Sequence, residues 1–537
     1  MTIQTDTPGH ARIAIAMVPI AGVLASITMY ALTPHGPGVS PDGVAYIELA
    51  GHLLNGDGYV IDRDQSFTAR RERTPCTHFP PGYPIALALS SICCNSDVPA
   101  AARVLGALLF GANLILFATA IYWGTAHNRA ATGLAILFYL TSRPLFTTHS
   151  KVMSESLFLT FSLLALLLLT RHIRHPGRYA VVAAALLVGV AATTRAVGIT
   201  LGPPIIGVLL LQSGRSLRNR IRETLLFTSC ALLPIGCWVL RNTMYAQSAV
   251  QTRRLGWHPV SLPEFEDLVK TMYKFWSPVS LPLRGQGLLI VIAGVVVLAA
   301  AVLLYRRNSK PGVTQSPSFT LGSLGIFFFC TYLATVLFSI SFLDGSTSLD
   351  TRIMLPPLLL MTIGVVSMAW SISRSLPRKG IWPSCLALAL LCIGLSARPA
   401  ARNVRDIYKD GQGYTSTVWQ GSELISYLQS VDGDREIYTN GPDALRLWTG
   451  RISTLLPGRQ DGSTKQPLPE YENQMDQMAA ACRSGDALIV YFNNITWRWY
   501  LPSVDDLVEM NALPAARTFA DGFVWSQDRA SKVVDAD

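Results

Sequence analysis

Carboxylates placed where a chain leaves the lipid, with basic side chains gathered nearby, are the residues of this sequence best suited to chemistry. Asp42 lies in "SPDGVAYIELAGHLLNGDGYV", residues 40–60, directly after an apolar run from Ile13 to Leu32. A carboxylate within hydrogen-bond reach of a hydroxyl can take its proton as the oxygen attacks, so Asp42 is the candidate general base. Glu155, in "SKVMSESLFL", offers a second acidic group at another span end. Arg195, Arg241 and Arg352, together with His78, are candidates to hold a phosphate, because guanidinium forks grip phosphate oxygens through charge-assisted hydrogen bonds. Tyr46, Tyr83 and His149 are candidate substrate contacts.

Each residue also has a plainer reading. Asp42 can cap the helix that follows it, and Asp57 in "GDG" can serve a turn. Glu48 reads as the solvated face of a helix over 43–56, Arg241 and Arg352 can snorkel at helix ends, and His78 and His149 can be structural. What favours a site is that acids, bases and histidines gather on one side of the membrane, where charge at a span end faces water or a partner.

The elements that position them are membrane spans. Half of the 537 residues are hydrophobic and only 15% are charged, too apolar for an ordinary soluble protein. Apolar runs of about 17–25 residues recur from Ile13 to Leu395, giving about eleven transmembrane helices. "RHIRHPGR" at 171–178, "SGRSLRNRIR" at 213–222, "YRRNSK" at 305–310 and "SRSLPRK" at 373–379 are basic connections and belong in the cytoplasm. The net charge of +10 is therefore read as topology and not as nucleic-acid binding. Parity then places the N-terminus inside, and the loop 34–83, the turn near Arg195, the segment 244–286 and the C-terminus outside. Pro84 to Cys94 is too short to cross and reads as a re-entrant or interfacial helix. Residues 264–276 place Phe265, Leu268, Val269, Met272 and Trp276 on one face, as an interfacial amphipathic helix would.

Residues 1–397 form the transmembrane domain in this reading, and 398–537 an external α/β domain with strands at "EIYTN" and "DALIVYFNN" and a helix in "PLPEYENQMDQMAAACRSG". The nine cysteines have no metal-ligand spacing, and no nucleotide-binding glycine loop, His/Cys cluster or Ser/His/Asp order stands out. A divalent metal ion is the one cofactor for which the sequence leaves room.

An external site has no access to cytoplasmic nucleotide sugars, so an activated sugar must arrive on a lipid carrier. A polyprenyl-phosphate leaving group needs the arginines, and an acceptor hydroxyl needs the carboxylate. At this point the sequence resembles GT-C fold glycosyltransferases, nearest to the bacterial branch related to protein O-mannosyltransferases and lipid A aminoarabinose transferases. The likeness is carried by "SPDGVAYIELAGHLLNGDGYV", "THFPPGYPIALAL", "SKVMSESLFL", "TTRAVGITLGPP", "WVLRN" and "TRIMLPPLLL", with "IYTNGPDALRLWTGRISTLLP" in the tail. The resemblance implies Asp42 as general base, Glu155 as a second acid facing the cavity, Arg195 and Arg352 near the lipid phosphate, and "PPGYP" shaping the donor entrance. Relatives often carry lysine where this chain has His78-Phe79, so His78 takes either a phosphate-contacting or a metal-contacting part. The activity implied is inverting transfer of a hexosyl or pentosyl unit from a polyprenyl-phosphate sugar to an envelope lipid, glycan or protein at the inner (plasma) membrane. A transporter or lipid flippase, and a non-catalytic assembly subunit, are the competing readings.

Overall fold

The computed structural model describes residues 8–62, 73–212, 214–246, 256–308, 316–345, 347–374, 380–431, 435–510 and 513–527. Expectations that fall on 63–72, 247–255, 309–310 and 375–379 lie outside the described residues.

Among the described residues, fifteen α-helices, with one short 3-10 helix (Ala196–Leu201), run in order through the apolar part of the chain. They are α1 (Pro8–Ala31), α2 (Pro41–Leu54), α3 (Gly82–Cys94), α4 (Val98–Gly124), α5 (Arg129–Leu140), α6 (Arg143–His149), α7 (Ser154–Arg174) and α8 (Arg178–Thr194), then α9 (Gly202–Leu210), α10 (Leu217–Ala246), α11 (Leu262–Trp276), α12 (Leu283–Asn308), α13 (Pro317–Phe342), α14 (Thr351–Ser373) and α15 (Ile381–Asp410). Among the described residues, six helices are long and apolar enough to cross a membrane: α4, α7, α10, α13, α14 and α15. Shorter apolar helices accompany them, so the protein is a multi-pass membrane protein.

Helix starts follow local chemistry. Asp97 caps α4 by accepting from Ala100 N at 2.7 Å, and Ser316 caps α13 by accepting from Phe319 N at 3.2 Å. Small residues let helices approach closely, as van der Waals packing in lipid requires. A Cβ on Gly325 of α13 would lie 2.3 Å from Leu360 O of α14, so only glycine fits that crossing. α7 is mostly buried among its neighbours, whereas α10 and α15 leave most of their apolar surface outside the protein core, as lipid-facing helices do.

The composition change at Arg398 does not end a helix: α15 continues unbroken to Asp410. Beyond it stand the short helices α16 (Thr417–Gln420), α17 (Glu423–Ser430), α18 (Pro442–Thr449), α19 (Tyr471–Arg483) and α20 (Val504–Val508). The strands are β1 (Val60–Ile61) and β2 (Thr74–Pro75) in the first loop, and β3 (Glu436–Thr439), β4 (Thr454–Leu455), β5 (Ala487–Phe492), β6 (Ala516–Phe519) and β7 (Gly522–Trp525) in the tail. The tail strands form one sheet in the order β4-β3-β5-β7-β6, parallel through β4, β3 and β5 and antiparallel from β5 to β6. β5 is central, and its apolar run is almost wholly buried, as a strand covered on both faces must be.

The tail does not stand apart from the membrane part. One apolar cluster joins Val44, Ala50 and Leu87 of α2 and α3 to Trp419, Leu445 and Val490 of the tail. A three-segment backbone ladder reinforces it. Gly38 N donates to Ser150 O at 2.8 Å, Val152 N to Gly38 O at 2.8 Å, and Tyr414 N to Val39 O at 2.8 Å. Gly413 sits at φ +58°, and a Cβ there would lie 2.1 Å from Val39 O, so the rung requires glycine.

Candidate active site

The ladder presents Ser40 at the start of α2, and its hydroxyl accepts from Gly43 N at 3.2 Å. Ser40 is therefore the cap, in place of Asp42. That leaves the Asp42 carboxylate, one residue inside the helix, free to reach outward, where Arg352 Nη2 meets it at 2.9 Å. Arg352 is set by its own helix start: Asp350 caps α14, accepting from Arg352 N at 2.9 Å and Ile353 N at 3.0 Å. Pro357 has no N–H for the Ile353 carbonyl. Tyr332 of α13 donates its hydroxyl to that carbonyl instead, at 2.8 Å.

Glu155, in the first turn of α7, is 2% exposed and lies between two guanidinium groups. Arg195 Nη1 is 2.6 Å and Arg352 Nε 3.0 Å from its Oε1. Both contacts fall off hydrogen-bond alignment, so they act through charge, and Arg195 Nε is left without an acceptor among the described residues. Arg195 Nη1 also donates to Ser154 Oγ at 3.2 Å, which in turn lies 3.2 Å from Tyr46 OH. The result is a continuous chain, Asp42–Arg352–Glu155–Arg195–Ser154–Tyr46, in which two carboxylates balance two guanidiniums.

Arg352 also lines a cavity of about 1280 Å³, together with Ser40, Pro41, Arg143, Lys151, Lys270 and Lys274. Among the described residues, Asp350 is the one carboxylate on its wall. Burial, with Arg352 close by, pushes the Lys151 ammonium below its ordinary value. Tyr414, Trp419 and Trp497 add an aromatic wall from the tail. α11 borders the cavity and is tied to the tail by Lys465, whose Nζ meets Glu264 Oε1 at 3.1 Å. Its buried face differs from the expected one: Leu268 and Met272 are inward, but Phe265 is 56% exposed, and Tyr273 and Phe275 take the inner positions. The helix is turned so that Lys270 and Lys274 reach the cavity.

The remaining candidates lie elsewhere. Arg241 of α10 donates to Cys76 O at 2.6 Å, Tyr59 O at 2.7 Å and Asn242 Oδ1 at 3.0 Å, so its fork pins the first loop to α10. His78 is exposed, with its ring edge-on to Phe79 at 4.5 Å. Tyr83 is buried, edge-on to Tyr46. His149 is buried, with Nδ1 2.8 Å from Leu145 O and Nε2 2.9 Å from Asn113 Nδ2, which makes it a packing residue. Glu48, expected on a solvated face, is 7% exposed at its side chain and grouped with His52 and Asp62. Sequence reasoning missed Ser154, Arg143, Lys274 and the aromatic wall. Ser154 stood beside Glu155 in "SES", but the others come together only through the tail and α11.

No protein-family profile matches this sequence, and no curated protein sequence does. Solved structures do. ArnT from Cupriavidus metallidurans bound to undecaprenyl phosphate is matched over 95% of this chain and 98% of that one at 15% identity, with a TM-score of 0.53. Its apo state gives 96%, 98%, 14% and 0.54. The Archaeoglobus fulgidus oligosaccharyltransferase in the apo form is matched over 90% of this chain and 70% of that one at 12% identity, with a TM-score of 0.55. At such identities the likeness is one of architecture, and with the helices described above it identifies the chain as a multi-pass membrane protein of the GT-C fold.

Proposed function

We propose that this protein is a membrane glycosyltransferase that moves a sugar from a polyprenyl-phosphate donor to a hydroxyl of an envelope acceptor, with Asp42 as general base. The observation that carries the reading is the Asp42–Arg352 pair at the edge of a large basic cavity. The undecaprenyl phosphate bound by ArnT, a protein of the same architecture, supports the class of donor.

In the structure the Asp42 carboxylate is engaged by Arg352. An incoming donor phosphate competes for the same guanidinium. As Arg352 turns to the phosphate, Asp42 is freed to take the acceptor proton while the acceptor oxygen attacks the anomeric carbon and the phosphate leaves. One displacement inverts that centre. Glu155 keeps Arg195 and Arg352 in place, and Arg195 Nε remains as a donor for an incoming oxygen. The lysines of the cavity add positive charge where the leaving phosphate gathers negative charge.

The backbone hydrogen bonds joining residues 37–39, 150–152 and 413–415 support a topology in which all three share one side of the membrane. With the basic connections in the cytoplasm, that side is external, the N-terminus is inside, and residues 398–537 belong to the periplasmic or extracellular side of the inner membrane.

The test is release of polyprenyl phosphate from a labelled polyprenyl-phosphate sugar pool by purified protein. Wild type should release it, and Asp42→Asn should lose about 100-fold or more in rate at an unchanged melting temperature. Equal turnover by the two would remove Asp42 from the mechanism, and no release by wild type across a broad donor and acceptor panel would remove the transferase reading.

A further inference from the structure

On α2, six residues beyond Asp42 and on a different face of the helix, Glu48 and His52 stand one turn apart. The loop that follows folds back so that Asp62 joins them, and one ligand atom from each lies within 4.8 Å of the others. We propose that Glu48, His52 and Asp62 bind a divalent transition-metal ion of the Zn²⁺ class, separate from the Asp42 network.

The hydrogen bonds around the cluster argue for a cation. His52 Nδ1 lies 3.0 Å from Asp57 Oδ2, an arrangement that puts the proton on Nδ1 and leaves a lone pair on Nε2. Among the described residues that buried Nε2 has no hydrogen-bond partner, and it faces Asp62 Oδ2 at 3.4 Å and Glu48 Oε1 at 3.9 Å. A lone pair turned toward two carboxylate oxygens is repulsive unless a metal ion or a proton on Nε2 sits between them, and neither oxygen meets Nε2 in the aligned geometry a proton would need. Glu48 Oε2 is a second buried atom with no partner among the described residues, on a side chain 7% exposed.

The His52–Asp62 spacing of 3.4 Å is also that of two ligands on one ion, and Glu48, at 3.9 Å from His52, would close in by about half an ångström. Two ligands each about 2.1 Å from a zinc ion at a tetrahedral angle are about 3.4 Å apart. One imidazole nitrogen with two carboxylates suits Zn²⁺ or Mn²⁺ better than Ca²⁺, which takes oxygen ligands only. The surroundings supply an outer layer that orients the ligands: Asp57 on His52, Arg73 Nη1 on Asp57 Oδ1 at 2.9 Å, and Arg73 Nε on Asp62 Oδ1 at 3.1 Å. Arg446, from α18, meets Asp62 Oδ2 at 2.9 Å. A metal here would fasten the first loop to α2 beside the Arg446 contact from the tail, so its role is structural and holds whether or not Asp42 catalyses sugar transfer.

The test uses the full-length protein in detergent, with any affinity tag removed and chelator-treated, titrated with Zn²⁺ by calorimetry and with Co²⁺ by visible absorption. Wild type should take up one equivalent of each, with a nitrogen- and oxygen-ligated Co²⁺ spectrum and a rise in melting temperature. His52→Gln should weaken uptake beyond tenfold. Asp57→Asn keeps all three ligands and should weaken it about 10–100-fold, so the proposal stays testable if His52→Gln fails to fold. No uptake by wild type, or equal uptake by wild type and both variants, would overturn the site.

Discussion

Arg352 reaches two acids at once, Asp42 through Nη2 and Glu155 through Nε. Only a planar fork with several fixed donors can do this; an ammonium is a single point of charge. Arg352→Lys should therefore keep the fold but drop one charge-assisted contact, about 1.5–3 kcal/mol, or about 10–150-fold in kcat/KM for sugar transfer. An unchanged kcat/KM would remove the bridge from the mechanism. At this scale the sequence named Asp42, Glu155, Arg195 and Arg352 because charge at a span end is costly and therefore conspicuous. Glu48 and Asp62 did not stand out, since Asp62 N donates to Glu48 Oε1 across a sequence separation of 14 that only the folded loop closes. His149 and Tyr83 carried the same residue types as a site but are turned into the core, and residue type alone does not give direction.

The elements differ in how well they could be read. α14 and α4 follow from apolar length and their aspartate caps, and α15 overran its expected end because it stays helical after its composition turns polar. In the tail, α17, α19, β3 and β5 follow from periodicity, whereas α16, α18, α20, β4, β6 and β7 are short and do not stand out, and the tail loops have a pH dependence of their own. Partial burial pushes the Asp461 carboxyl up, but hydrogen bonds from Ser463 Oγ and from the Ser463 and Thr464 amides outweigh it and hold it below its ordinary value. Asp506 is likewise held down by Ser503 and Arg459 against its own partial burial. A carboxyl that ionises more readily in the folded state stabilises the fold above its unfolded value, about 3.9, and that contribution is lost as pH falls through the lower, folded value. Hydrogen exchange of the segments around Asp461 and Asp506, corrected for intrinsic rate, should accelerate from pH about 5 to about 3. Equal protection at both would mean these bonds do not hold the loops.

For the molecule as a whole, the recurrence of long apolar helices could be read because lipid imposes one rule on every helix. The docking of the tail could not, because it depends on contacts such as Thr415 Oγ1 donating to Pro37 O, with the partners 378 residues apart in sequence. Gly413→Val, which puts a side chain into Val39 O, should dislodge the tail from α2. Limited proteolysis should then cut near 411–416 several times faster than in wild type, and equal resistance would show that the apolar contacts alone hold the tail.

The same ladder bears on how the chain is inserted. Its three segments are synthesised one after another, and the long apolar helices α4, α7, α10, α13, α14 and α15 lie between the first and the last. If one helix fails to insert, every later segment emerges on the wrong side, and residues 413–415 can never meet Val39. A misthreaded chain is thus left with an unpaired strand and an uncovered apolar patch, which is the feature quality-control proteases recognise. The joint that shapes the cavity is also a parity check on membrane insertion.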